Sequence, residues 1–233
     1  MSEMMESSFS SALAYPGQST CLPTYLVIDA SSSMQSQEAV LNATLSRLHY
    51  TLAMNPKVSE FAHICVIAFS TDVHVVVPMT DMELVPAMPE VICGGRTEYG
   101  KAFDKVRQCI DQDITALKAQ GRAVLRPAVF LLTDGEPTDT GWLGAFQRLV
   151  DRGWSRRPHV ITYGFGGAKR DVLSKVATKA AFIADGSDTE AALSQAIASL
   201  LNSLISSSEA GKMQIPAQPQ GFEYIPVSQE YVD

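Results

Sequence analysis

The amino-acid sequence predicts an α/β fold of the doubly wound type, in which helices cover both faces of a mostly parallel sheet. Short apolar runs alternate along the chain with amphipathic segments, and this alternation is typical of parallel strands joined by helical crossovers. Two of the runs, YLVID (25–29) and AVFLLT (128–133), are almost wholly apolar, as strands buried on both faces are. An aspartate stands at the carboxyl end of each run, so the sequence places two acids at one edge of the predicted sheet.

Six strands are predicted, and the first half of the chain supplies three of them. The run YLVID is followed by a helix, whose apolar face is formed by Leu41, Leu45, Leu48 and Leu52. The runs HICVIAF (63–69) and VHVVV (73–77) are separated only by a polar link (70–72), which predicts a hairpin. Because Pro78 limits further pairing, the third strand is expected at an edge of the sheet.

The second half of the chain continues the alternation. A second helix has an apolar face formed by Phe103, Val106, Ile110, Ile114 and Leu117. The strand AVFLLT and a helix around 142–149 come next, followed by the strand HVITYGF (159–165), a short helix near 169–179 and the strand AFIA (181–184). The last predicted helix has an inner face of Leu193, Ile197, Leu200 and Leu204.

We predict the strand order 3-2-1-4-5-6, with the second strand of the hairpin as an antiparallel edge. In this order the first strand and AVFLLT are neighbours where the winding direction reverses, which is where open α/β sheets bind ligands. Asp29 and Asp134 would then project into one crevice. Because alternate residues of a tight loop can point the same way, Ser31 and Ser33 can present their hydroxyls beside Asp29.

Two carboxylates and several hydroxyls form a hard ligand set made only of oxygen. Such a set favours Mg²⁺, our first choice, or Mn²⁺ or Ca²⁺ over zinc, which prefers nitrogen and sulfur. The carboxylates are too few to fill every coordination position, so water or an acidic group from outside must complete the shell. An incomplete shell in a surface crevice is a physical basis for binding the Asp or Glu of a partner protein.

The sequence around these residues resembles the von Willebrand factor A domain family, in which a D-x-S-x-S motif forms the metal-ion-dependent adhesion site. DASSS (29–33) carries the motif, GRT (95–97) stands where the family has a third hydroxyl, and TDG (133–135) stands where it has a second aspartate. The resemblance covers about residues 23–205 in the order of strands and helices. Many members have glycine where this chain has Ser32, whose backbone is less free.

The resemblance implies that the hydroxyls of Ser31, Ser33 and Thr97 touch a divalent cation, while Asp29 and Asp134 act directly or through water. It also implies a Rossmann-like fold and a role in protein–protein interaction rather than catalysis. Within the family, the sequence looks most like bacterial cytoplasmic members related to the tellurite-resistance protein TerY. Members of that kind are associated with partner kinases and phosphatases in stress-response systems.

Composition and charge argue against several other classes. The formal net charge of −7 does not suit a nucleic-acid binder, which needs a basic face. No run approaches the roughly 18 apolar residues that span a membrane. The N-terminal residues include acids and lack the apolar segment of a secretory signal, and the four cysteines have no C-x-x-C spacing. We therefore expect reduced thiols and a cytoplasmic location, and the sequence predicts no particular oligomeric state.

We expect one domain over residues 21–205, between a flexible N-terminal extension at 1–20 and a C-terminal tail or strap at 206–233. The tail begins with a run of serines and has no helical period. One hypothesis is that an acid of this tail occupies the metal site, in cis or in a neighbouring molecule. The candidate acids are Glu223, Glu230 and Asp233.

Three other interpretations stay open. Asp29 and Asp134 each stand where a helix cap is common. A metal-dependent phosphatase or hydrolase also uses strand-end aspartates, although no pair of nucleophile and base is visible and Ser31 stands where such phosphatases generally have a second aspartate. A metal-free scaffold of the same fold is the third, and Ser32 is the residue that supports it.

Overall fold

A computed structural model describes residues 19–186 and 188–228, so most of the expected N-terminal extension at 1–20 lies outside the described residues. The described part begins with a short strand, β1 (Thr20–Cys21), which pairs in parallel with β5 (Ala123–Val124) as a separate two-stranded sheet. This small sheet fixes the chain just before it enters the main sheet.

Within residues 19–186 and 188–228 the main sheet has seven strands, one more than predicted. In chain order they are β2 (Thr24–Asp29), β3 (Ile64–Phe69), β4 (Val73–Thr80), β6 (Ala128–Thr133), β7 (His159–Gly164), β8 (Ala180–Ala184) and β9 (Phe222–Ile225). Their order in space is β4-β3-β2-β6-β7-β8-β9, which confirms the predicted order of the first six and adds β9 beside β8. Strands β3 and β4 form the predicted antiparallel hairpin, and β9 is also antiparallel.

The edge strand β4 is longer than the sequence indicated, because it continues past Pro78 to Thr80. The pairing shifts register between Val77, opposite Val66, and Thr80, opposite Ile64. A proline is tolerated there because an edge strand leaves one row of backbone groups unpaired, and a bulge accommodates the residue that cannot donate.

In the described part of the chain, six α-helices cover the two faces of the sheet, as the alternating pattern predicts. They are α1 (Glu38–Ala53), α2 (Pro56–Phe61), α3 (Tyr99–Ala119), α4 (Trp142–Val150), α5 (Arg170–Lys175) and α6 (Thr189–Ala210). Successive residues of β2 divide between the faces: Leu26 and Ile28 pack with α1, α2 and α6, whereas Tyr25 and Val27 pack with α3 and α4. Within the part of the chain that the structure describes, no helix is long and apolar enough to cross a membrane.

Residues 206–228, the described part of the segment expected to be a tail or strap, contain the end of a helix and a further strand. Helix α6 continues to Ala210 and ends at Gly211, whose φ of 64° is the left-handed conformation that glycine adopts easily. The chain then returns along the helix, where Ser203 donates to the Gln214 carbonyl at 2.6 Å and Ser207 accepts from the Gln214 amide at 2.8 Å. Ser203 and Ser207, whose polarity interrupts the apolar pattern of the helix in the sequence, therefore form the hydrogen bonds that hold the returning chain.

Candidate metal centre

The two predicted acids lie at the carboxyl ends of neighbouring strands. Asp29 is the last residue of β2 and is fully buried, and Asp134 directly follows β6, with 6 % of its surface exposed. Strands β2 and β6 are paired in parallel, with Ile28 opposite Leu132. The connections from these two strands turn to opposite faces of the sheet, since β2 leads to α1 and β6 leads to α4. The acids therefore share the crevice that the strand order predicts.

Asp29 is held by donors on both of its carboxylate oxygens. The Ser31 amide donates to Oδ1 at 3.0 Å, and the Thr133 hydroxyl donates to Oδ2 at 2.7 Å. Burial nevertheless raises the pKa of Asp29 to about 6, with the neighbouring charge of Asp134 adding to the rise. A buried carboxylate that is costly to ionise is one that a cation at the same place would stabilise.

The serine hydroxyls connect the two strand ends. Ser31 Oγ and Ser33 Oγ lie 3.0 Å apart, and Ser33 donates to Asp134 Oδ1 at 2.7 Å. Burial raises the pKa of Asp134, whereas the hydrogen bond from Ser33 lowers it. The hydroxyls of Ser31 and Ser33, in the loop after β2, thus connect by hydrogen bonds to the carboxylate of Asp134, in the loop after β6.

Thr97 joins the same cluster from the loop that precedes α3. Its backbone carbonyl accepts from the amide and hydroxyl of Thr138, at 2.8 and 3.0 Å, which fixes it beside the loop after β6. A Cβ atom built on Gly135 would lie 3.4 Å from Thr97 Oγ1 and 3.9 Å from both Asp29 Oδ2 and Ser33 Oγ. Three of the predicted oxygens therefore surround one glycine.

The loop adopts this geometry with serine at position 32. The Ser32 amide donates to the Gly95 carbonyl at 3.0 Å, and the Gly94 amide donates to the Ala30 carbonyl at 2.7 Å, so the two loops are joined by backbone hydrogen bonds. No non-glycine residue in the ranges 19–186 and 188–228 has a positive φ, and the Ser32 side chain is exposed. Glycine's extra freedom is therefore not needed at this position.

Sequence reasoning missed the residues that position the acids. Tyr99 is fully buried, and its hydroxyl donates to Thr133 Oγ1 at 2.9 Å and lies 3.1 Å from the Gly135 carbonyl. Thr133 in turn donates to Asp29, so a relay of hydroxyls connects the start of α3 to the carboxylate. Thr133 and Gly135 adjoin Asp134 in the TDG motif, but Tyr99 carries no signal in the sequence beyond its closeness to Thr97.

The alternative that the acids are helix caps does not fit the structure. The cap position of the 3₁₀ helix Ser32–Gln37 is Ser31, and that of α4 is Gly141. Asp29 instead accepts from Thr133 at the end of β6, and Asp134 accepts from Ser33 in the loop after β2.

The donor set suits a hard cation. In the described ranges, no group of three or more His, Cys, Asp or Glu side chains is placed to hold a metal. The cluster consists instead of two carboxylates and three hydroxyls, which are the oxygen ligands that Mg²⁺, Mn²⁺ and Ca²⁺ accept. Of the acids proposed to enter the site from the C-terminal segment, Glu223 forms an ion pair with Arg170, and Glu230 and Asp233 lie outside the described residues.

The fold, together with the cluster of oxygen ligands where the winding direction of the sheet reverses, defines a class of protein. The family model for the von Willebrand factor type A domain matches residues 25–199, so the chain belongs to that family. The match spans β2 through most of α6 and includes all five predicted site residues.

Solved structures of the same fold come from distant sources. Proximal thread matrix protein 1 from the mussel byssus is 20 % identical, with a TM-score of 0.60 over 81 % of this chain and 49 % of that one. Another structure of that protein has a zinc-occupied MIDAS motif (19 % identity, TM-score 0.60, 81 % and 48 % covered). A von Willebrand factor type A protein from Catenulispora acidiphila is 17 % identical, with a TM-score of 0.54 and coverage of 80 % and 43 %. The chain thus spans about half the length of these structures, and no curated protein sequence matches it.

Proposed function

We propose that this chain binds a divalent cation through Asp29, Ser31, Ser33, Thr97 and Asp134, and that the bound cation captures an acidic side chain of a partner protein. The observation that carries this proposal is that two strand-end carboxylates and two serine hydroxyls form one hydrogen-bonded cluster, and that the Thr97 hydroxyl approaches the same cluster beside Gly135. The charge of Asp134 adds to the rise in the pKa of Asp29, so the two carboxylates repel one another when both are ionised, and a bound cation would offset that repulsion.

The ligand set also explains why a partner is needed. The two protein carboxylates balance the charge of one divalent cation, and the hydroxyls add neutral ligands. Together they do not complete the coordination shell, so the remaining positions are filled only by water. A carboxylate from outside replaces a water and adds a direct ionic bond in a partly desolvated crevice. We propose Mg²⁺ as the resident ion, with Mn²⁺ and Ca²⁺ as alternatives of the same chemistry. The zinc-occupied motif of the mussel byssus protein supports a divalent ion at this place in the fold.

We further propose that binding, rather than catalysis, is the activity of the site, and that the partner is a kinase or phosphatase of a bacterial stress-response or signalling assembly in the cytoplasm. The support for this location is chemical. All four cysteines are unpaired and buried, at Cys21, Cys65, Cys93 and Cys109, as expected in a reducing compartment.

A relaxation experiment with Mn²⁺ tests whether the cation keeps a position for an acidic ligand. Protein-bound Mn²⁺ is titrated with a short peptide that carries a single Asp, and the relaxation of water protons is followed. We expect the relaxation enhancement to fall as the carboxylate displaces coordinated water. The matched control is the same peptide with Asn, which should leave the enhancement unchanged. Equal effects of the two peptides, or no effect of either, would refute the proposed mode of binding.

A further inference from the structure

A second polar cavity lies at the opposite end of the sheet from the metal centre. It is bounded by the last turns of α3 around Lys118, by the segment 124–127 that enters β6, and by the segment 155–157 that precedes β7. Its volume is about 250 Å³. Because parallel strands begin at this end, the cavity is separated from Asp29 by the length of the central strands.

The cavity is strongly basic, although the chain as a whole is acidic. Its wall contains four cations and no acid: Lys118, Arg126, Arg156 and Arg157. The chain's formal net charge is −7. Asp111, which is not part of the wall, forms an ion pair with Arg156 at 3.3 Å and offsets part of the charge of that guanidinium. Such a concentration of one sign in a concave place attracts an anion.

Backbone carbonyls hold the first guanidinium in place. Arg126 donates from Nε to the Arg157 carbonyl at 2.9 Å and from Nη2 to the Pro158 carbonyl at 3.3 Å. Its side chain is half-buried, as are those of Arg156 and Arg157. These hydrogen bonds hold the Arg126 side chain in place before a ligand arrives, so binding costs less conformational entropy.

Arg156 and Lys118 have hydrogen-bond donors that are not used within the described residues. All contacts of the Arg156 guanidinium are made by Nη1, to the Asp111 carbonyl at 2.6 Å, to Thr115 Oγ1 at 2.9 Å and to the Asp111 carboxylate. Within the part of the chain that the structure covers, its Nε and Nη2 groups and the Lys118 ammonium have no partner. An edge of the guanidinium and an ammonium are thus available together.

We propose that this cavity binds a phosphate group carried as a monoester. A guanidinium edge presents two parallel N–H donors that match two oxygens of phosphate, and the ammonium adds a point charge. The volume is below the roughly 300–1,000 Å³ of a pocket for a drug-sized ligand, and the four cations of the wall favour a charged phosphate group over an uncharged ring. The ester belongs either to a small metabolite or to a phosphorylated residue of a protein.

Nitrogen–proton correlation spectra of the EDTA-treated chain, titrated with inorganic phosphate, test the site. We expect saturable shifts of the amide signals of residues 114–118, 124–126 and 155–157. The double variant K118Q/R156Q should weaken binding by about tenfold or more, because it removes the ammonium and the guanidinium edge. The matched control K57Q/K212Q removes two exposed lysines elsewhere and should leave the affinity unchanged.

R156K keeps the charge but loses the planar edge, so it should bind more weakly than the unaltered chain while folding normally. Glycerol phosphate and a phosphoserine peptide, each compared with its dephosphorylated form, distinguish a metabolite from a protein as the source of the ester. The proposal is overturned if phosphate gives no saturable shifts, if the two double variants weaken binding equally, or if R156K binds as tightly as the unaltered chain.

Discussion

At the scale of single residues, the candidate centre depends on side chains that carry no charge. Thr133 donates to Asp29, Ser33 donates to Asp134, and Gly135 leaves the space in which the oxygens meet. The acids could be predicted because charged residues at the ends of apolar strands are conspicuous in a sequence. The role of Gly135 could not, because it is defined by distances to residues that are far away along the chain.

Replacing Gly135 with alanine tests this use of space. The added methyl would lie 3.4 Å from Thr97 Oγ1 and 3.9 Å from Asp29 Oδ2, so it narrows the volume in which a cation sits. We expect G135A to weaken Mg²⁺ or Mn²⁺ binding by about tenfold, the lower end of the effects of altering a metal's surroundings, as measured by calorimetric titration.

The matched control for this substitution is G141A. A Cβ built on Gly141, the cap of α4, meets no atom within 4 Å, and its φ of −93° is available to alanine. G141A should bind metal as the unaltered chain does. Unchanged affinity in G135A would show that the oxygens do not converge on a cation at this position.

At the scale of elements, strands and helices are predicted well from the sequence where their buried positions are apolar. They are predicted less well where polar residues occupy buried positions. The six predicted strands are confirmed because each is a short apolar run between turns. The C-terminal end of α6 and strand β9 were missed. Ser199, Ser203 and Ser207 occupy every fourth position on the buried face of α6. Because a buried helix face is recognised in a sequence by apolar residues at this spacing, serines at the same positions do not indicate one.

Two aromatic residues on β9 test whether this strand belongs to the core. Phe222 is 2 % exposed and packs edge-on against Tyr163 at a centroid distance of 6.0 Å, whereas Tyr224 on the same strand is 50 % exposed. We expect F222A to lower the free energy of unfolding by about 3–5 kcal/mol, because a large buried ring is lost.

Urea unfolding of F222A and Y224A provides the comparison. The change in Y224A should be below about 1 kcal/mol, since half of its surface is already in water. Equal and small changes in the two variants would mean that β9 is not a stabilising part of the sheet.

At the scale of the whole molecule, the chain has two polar ends with opposite character. The carboxyl ends of the strands carry the acidic cluster around Asp29 and Asp134, and the amino ends carry the basic cavity around Arg126 and Arg156. The overall charge of −7 predicts neither site, because composition averages over the surface. The strand order predicted from the sequence already placed the two acids at neighbouring strand ends. The basic cavity could not be predicted, because it is formed by three segments whose proximity no sequence pattern indicates.

Calorimetric titration of Mg²⁺ and Mn²⁺ into EDTA-treated protein is the first measurement to make, because it shows whether Asp29 at the end of β2 and the four site residues on the neighbouring loops hold one divalent cation. We expect saturable binding at a single site in the unaltered chain. D29A should abolish it because a ligand carboxylate and the acceptor for Thr133 are lost, and T97A should abolish it because the hydroxyl from the third loop is lost. Absence of binding, or binding that both substitutions leave unchanged, would contradict the claim and leave only the fold.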